Sequence, residues 1–61
     1  LNRYLMDLKE VKRTVCFGKT AIYKWVKEGT FPKPLKIGGS VRWVSSDIDE
    51  WINKKIDESK M

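Results

Sequence analysis

The stretch DLKEVKRTVCFGKTAIYKWVKEG, residues 7–29, decides the fold. Leu8, Val11 and Val15 recur at i, i+3 and i+7, one apolar stripe of a helix, with Lys9, Lys12 and Arg13 off it. Asp7 followed by Glu10 has the spacing of an N-cap with its capping-box acid. The pattern predicts a helix over 8–14, then a tight apolar turn, Val15-Cys16-Phe17-Gly18. So short a connection forces the next helix to pack against the first. That second helix is predicted over 19–28, with Gly18 as a weak N-cap and Gly29 as the C-terminal stop. Ile22, Trp25 and Val26 make its buried stripe, with Ala21 beside it. Lys19, Thr20, Tyr23, Lys24 and Lys27 are left on the outer face. Two short helices joined this way form a helix-turn-helix, residues 7–29, whose second member is the candidate recognition helix.

Outward from that stretch the pattern changes period. Thr30-Phe31-Pro32-Lys33-Pro34 cannot continue a helix, because two prolines one residue apart forbid it. Leu35-Lys36-Ile37 and Val41-Arg42-Trp43-Val44 read as strands, with Gly38-Gly39-Ser40 between them as a glycine tip, a hairpin over 35–44. Ser46 is positioned to cap a third helix over 46–57, with Asp47 and Asp49 favoured in its first turn by the helix dipole. Ile48, Trp51, Ile52 and Ile56 form its stripe. Residues 1–6 read as an extended arm, with Tyr4, Leu5 and Met6 apolar enough to pack back. The expected whole is one mainly α domain, 1–61, a winged helix-turn-helix of three helices and a two-stranded antiparallel wing.

Composition narrows the function. The 61 residues carry 13 Lys+Arg against 8 Asp+Glu, a net charge of +5. The charge is uneven: residues 1–44 sum to +7 and residues 45–61 to −2. A basic front with an acidic back outlines a polyanion binder. A single cysteine, Cys16, excludes an intrachain disulfide, and one Cys without any His cannot build a structural zinc site. The missing histidine also removes the commonest general acid–base group. Asp47, Asp49 and Glu50 are explained by their place at a helix start. We therefore expect no enzyme, no catalytic residue, no metal and no cofactor. With no apolar run long enough to span a bilayer and no signal-peptide pattern, a reducing cytoplasm is the expected compartment.

The residues then add up to a resemblance. Asp7-Leu8-Lys9-Glu10-Val11, the run Thr20 to Pro34 (TAIYKWVKEGTFPKP), Ile37-Gly38-Gly39, Val41-Arg42-Trp43 and Ser46-Asp47-Ile48-Asp49-Glu50-Trp51-Ile52 together resemble the AlpA-like prophage regulatory proteins. Those are small relatives of the excisionases and of the MerR-type DNA-binding domain. The likeness covers about residues 4–56. One departure is Gly18, where many relatives place a Ser cap. The resemblance implies a bacterial, nucleoid-associated protein. It would regulate genes of a prophage or integrative element, or act as an excisionase-type recombination directionality factor. Its implied partners are double-stranded DNA and, beyond that, an integrase or RNA polymerase.

Each candidate residue has a physical reason and a plainer alternative. Lys19, Tyr23 and Lys27, with Thr20 and Lys24, share one helix face, and an α-helix fits the major groove. Lys donates to guanine O6/N7 or to phosphate; Thr20 and Tyr23 can meet a phosphate or a thymine methyl. The alternative is an ordinary solvated face. In the wing, Gly38, Gly39 and Ser40 let backbone N–H groups approach phosphates, while Lys36 and Arg42 can straddle a sugar-phosphate backbone. Here the alternative is a salt bridge to the acidic helix. Trp25, Trp43, Trp51, Phe17 and Phe31 are expected in the core, and Cys16 as a buried inert thiol. The reading is sequence-specific duplex DNA binding. A rival is a protein-interaction module whose basic face grips an acidic partner such as an integrase. The third helix is too short for a dimerising seam, so the chain is expected to be a monomer that binds DNA cooperatively.

Overall fold

The computed structural model describes residues 3–60; Leu1 and Asn2 of the expected arm, and Met61, lie outside the described residues. The capping box forms as its spacing requires. The Asp7 carboxylate accepts the Glu10 N–H at 2.8 Å, and the Glu10 carboxylate accepts the Asp7 N–H at 3.3 Å. Helix α1 runs from there over Leu8–Val15. It ends at Cys16, whose φ of 65° is left-handed and whose N–H reaches the Lys12 carbonyl at 2.8 Å. Helix α2, Lys19–Glu28, ends at Gly29, φ 84°, whose N–H is shared by the Trp25 and Val26 carbonyls.

The hairpin comprises β2, Leu35–Ile37, and β3, Ser40–Val44. Gly38 and Gly39 have φ of 56° and 83°, the pair of positive angles that a two-residue type I′ turn demands. Ser40 therefore leaves the tip, where the sequence had put it, and pairs with Ile37. The sheet also has a third strand that the sequence reading lacked. Strand β1, Leu5–Met6, pairs antiparallel with β3, giving the order β1-β3-β2. The arm becomes a strand because Met6 opposite Trp43 is drawn into the core.

Helix α3 follows β3 without a loop and spans Ser45–Ser59, longer than expected at both ends. Its cap is not Ser46. Val44 occupies that position and gives no side-chain bond. Instead the buried Ser45 N–H donates to the Tyr4 carbonyl at 2.8 Å, and the Tyr4 N–H donates to Ser45 Oγ at 2.9 Å. One of the helix's orphan donors is thus satisfied by the arm rather than by a cap residue.

The buried core is Met6, Val11, Val15, Ile22, Phe31, Trp43 and Ile48, drawn from the sheet, all three helices and the proline loop. Trp43 is fully buried, and its indole N–H donates to the Pro32 carbonyl at 2.9 Å. Trp51 does the same for Thr30 at 2.8 Å. The two indoles thereby hold the loop in which prolines remove the usual backbone donors. Several expected core residues lie further out. Trp25 and Trp51 are half-buried, and Phe17 and Ile56 are exposed. Cys16 is exposed too, because the left-handed cap turns its side chain out of the stripe it would have continued.

Candidate nucleic-acid interface

Helix α2 presents Lys19, Thr20, Lys24 and Lys27 to solvent, as the 3.6-residue period requires once Ile22 is fixed in the core. Among the described residues the one ion pair is Lys55 with Glu58, at 3.4 Å on the surface of α3. The four cations Lys19, Lys24, Lys27 and Lys36 thus keep their charge unpaired by any described carboxylate. The expected alternative for the wing, a bridge from Arg42 to the acidic helix, is not what forms. Arg42 folds back and donates from Nη1 to the Val41 carbonyl at 2.8 Å.

Tyr23, expected on the outer face of the helix, also touches the wing. It is 37% exposed on the outer side of α2, yet its ring lies 6.1 Å from the Trp43 indole at 58°. It fixes the spacing between α2 and the wing. The signal was present in the helical wheel: Tyr23 lies at the border of the stripe, beside Val26, rather than at the centre of the outer face.

The two-residue turn also sets apart Lys36 and Arg42, which were expected to straddle one sugar-phosphate backbone together. With a three-residue tip, Lys36 would face Arg42. In the observed register Lys36 faces Val41, and Leu35 faces Arg42. Directly paired residues share a face of a sheet, and a shift of one residue reverses the face. Lys36 therefore lies on the side of Val41 and Trp43, towards α2, while Arg42, Ser40, Leu35 and Ile37 lie on the opposite side. The tip glycines sit between, exposed, with no neighbouring atom near the position of a Cβ.

What the geometry defines is a class: a winged helix-turn-helix, with lysines exposed on one helix face and on one side of the hairpin and a glycine tip at its end. Residues 4–56 match the family described as Prophage CP4-57 regulatory protein (AlpA), and the chain belongs to that family. The chain is similar to the response regulator inhibitor for tor operon of Escherichia coli (strain K12), at 40% identity over 55 residues, 90% of this chain and 83% of that protein. It is equally similar to the probable excisionase hkaC of Shigella phage Sf6, with the same identity and coverage. No solved structure matches it. The family is one of prophage regulators and excisionase-type proteins, and no helix among the described residues is long and apolar enough to cross a membrane.

Proposed function

We propose that the chain binds duplex DNA sequence-specifically, with α2 in the major groove and the wing beside it, as a prophage regulator or excisionase-type directionality factor. The observation that carries this is the set of exposed lysines, Lys19, Lys24, Lys27 and Lys36, that no described carboxylate pairs, with Tyr23 of the helix in ring contact with Trp43 of the wing. Thr20, Tyr23 and Lys24 meet base edges, as a helix face of about 10 Å breadth fills the major groove. Lys19, Lys27 and Lys36 meet phosphates, and the tip N–H groups of Gly39 and Ser40 approach one closely, Gly38 giving the turn. The likeness to a probable excisionase supports the recombination role, and the likeness to a response regulator inhibitor supports a regulatory one. Neither role needs chemistry from the chain.

The test is a salt titration on duplex DNA carrying the target. Three lysine–phosphate contacts, from Lys19, Lys27 and Lys36, give a slope of log K against log salt of about −2.7. A slope shallower than about −2 removes this surface from DNA and hands it to an acidic protein partner.

A further inference from the structure

Helix α2 is held from two sides by tryptophans of other elements. With Ile22 pointing into the core, Tyr23 lies about 100° from it one way round the helix and Trp25 about 60° the other. Tyr23 meets Trp43 of the sheet, ring centroids 6.1 Å apart, and Trp25 meets Trp51 of α3 at 5.7 Å. Trp51 reaches the same helix by a second route. Its indole N–H donates to the Thr30 carbonyl at 2.8 Å, and the Thr30 N–H donates to the Trp25 carbonyl at 2.9 Å. Phe31, edge-on to Trp51 at 4.8 Å, also lies against Trp25. Yet Trp51 is half-buried, outside the seven residues of the buried core, and α3 gives no residue to the proposed DNA surface.

We infer that Trp51 is a positioning residue that sets specificity: from α3 it fixes the roll of α2 about its own axis, and so decides which groups of α2 meet base edges. Its consequence for DNA rests on the duplex-binding reading above; its hold on α2 does not.

Roll matters because the two kinds of DNA contact tolerate it differently. A helix with its side chains has a radius of about 5–6 Å, so a roll of about 20° carries its outer groups about 2 Å sideways. Hydrogen bonds to base edges work only over about 2.7–3.2 Å and at angles above about 150°. Thr20 is short and Tyr23 is stiff, so neither follows such a shift. Lysines on phosphates have flexible four-carbon stems and do follow it. Loss of the Trp51 wall therefore strikes the reading of sequence and spares the attraction to the backbone. Trp43 cannot separate these effects, because it is fully buried and its removal opens the core. Half-buried Trp51 can.

The experiment is a pair of anisotropy titrations of the full chain, at a temperature where every variant is folded. One duplex is selected from a random pool by the unaltered chain; the other is its scrambled sequence. Trp51→Ala is expected to lower affinity for the selected duplex at least about tenfold, the scale of a lost base contact, while affinity for the scrambled duplex stays within about twofold. Trp51→Phe keeps a flat wall against Trp25 and is expected to hold the ratio of the two affinities within about threefold of the unaltered chain. A merely structural Trp51 lowers Tm and leaves that ratio unchanged in both variants; such a result, or equal losses on both duplexes, overturns the proposal. Residual dipolar couplings of the Cα–Hα bonds, without DNA, give a second readout. In Trp51→Ala the bonds of α2 are expected to reorient relative to α1 and the sheet, and unchanged couplings overturn the hold on α2. Should Trp51→Ala fail to fold, the same comparisons on Trp51→Leu decide. A chain that binds no duplex, with α2 reoriented in the variant, refutes the function proposed above and leaves the hold standing; a duplex-binding chain with α2 unmoved does the reverse.

Discussion

Replacing Trp43 by Phe tests whether one buried indole holds the recognition helix, the wing and the proline loop together. Trp43 is fully buried, so the lost atoms have no water to return to. The indole N–H that donates to Pro32 at 2.9 Å disappears, at about 1 kcal/mol. The smaller ring leaves about 30–40 Å³ empty, which at about 24 cal/mol per Å³ costs about 1 kcal/mol. Lost apolar transfer adds about 1 kcal/mol. The sum is about 3 kcal/mol, against a total of about 3–9 kcal/mol for a chain of this size. The expected fall in Tm is about 12–24 °C. Trp51→Phe is the matched control. Trp51 also donates its indole N–H, to Thr30 at 2.8 Å, but it is half-buried and that bond is exposed, so about 1 kcal/mol is expected. Urea unfolding followed by circular dichroism measures both. If Trp43→Phe costs under about 1 kcal/mol, or Trp51→Phe costs as much as Trp43→Phe, the loop and wing are not held as argued.

Two glycines are expected to respond to substitution with opposite signs. Gly18 has ordinary angles, φ −81° and ψ 171°, and caps α2 without a side chain, so Gly18→Ser raises stability by about 0.5–1 kcal/mol in thermal unfolding. Gly38 holds φ 56° in open space, so Gly38→Ala lowers it by about 1–2 kcal/mol through backbone strain alone, while Gly38→Asn loses less. On DNA, Lys24→Ala reduces target affinity by about 1–3 kcal/mol and spares random duplex. Arg42→Ala, on the far face of the wing, changes the single-site salt slope by less than about 0.5; anisotropy titrations on both duplexes compare the two.

The helices were legible because their signals are local. Asp7 and Glu10 announce α1, Gly29 ends α2, and the stripe of Ile22, Trp25 and Val26 orients the face opposite. The sheet was legible only in part, because register is a non-local quantity. Nothing within Gly38-Gly39-Ser40 taken alone distinguishes a two-residue from a three-residue tip. Yet that one residue decides whether Lys36 shares a face with Arg42 or with Trp43. Strand β1 escaped notice for a related reason. Two residues carry no period, and what makes them a strand is the pairing of Met6 with Trp43 some forty positions away. Ser46 was misread because a serine before an acidic helix start looks like a cap, while Val44 holds that position and the bonds to the arm are made by Ser45.

The same limit of size explains the exposed apolar surfaces. Around a core of seven buried hydrophobic residues, the helices pack on one face of the sheet, and among the described residues no further element covers the other. A domain this small necessarily leaves apolar area in water, so exposure of one leucine or phenylalanine carries no meaning by itself. Placement is a different matter. Leu5 and Leu35 come from strands separated by both helices of the helix-turn-helix, yet the pairing of β1 and β2 with β3 brings them onto one face. Phe17 and Ile56 belong to a turn and a helix separated by the whole wing, yet both border one groove. Incomplete coverage accounts for the existence of the patches.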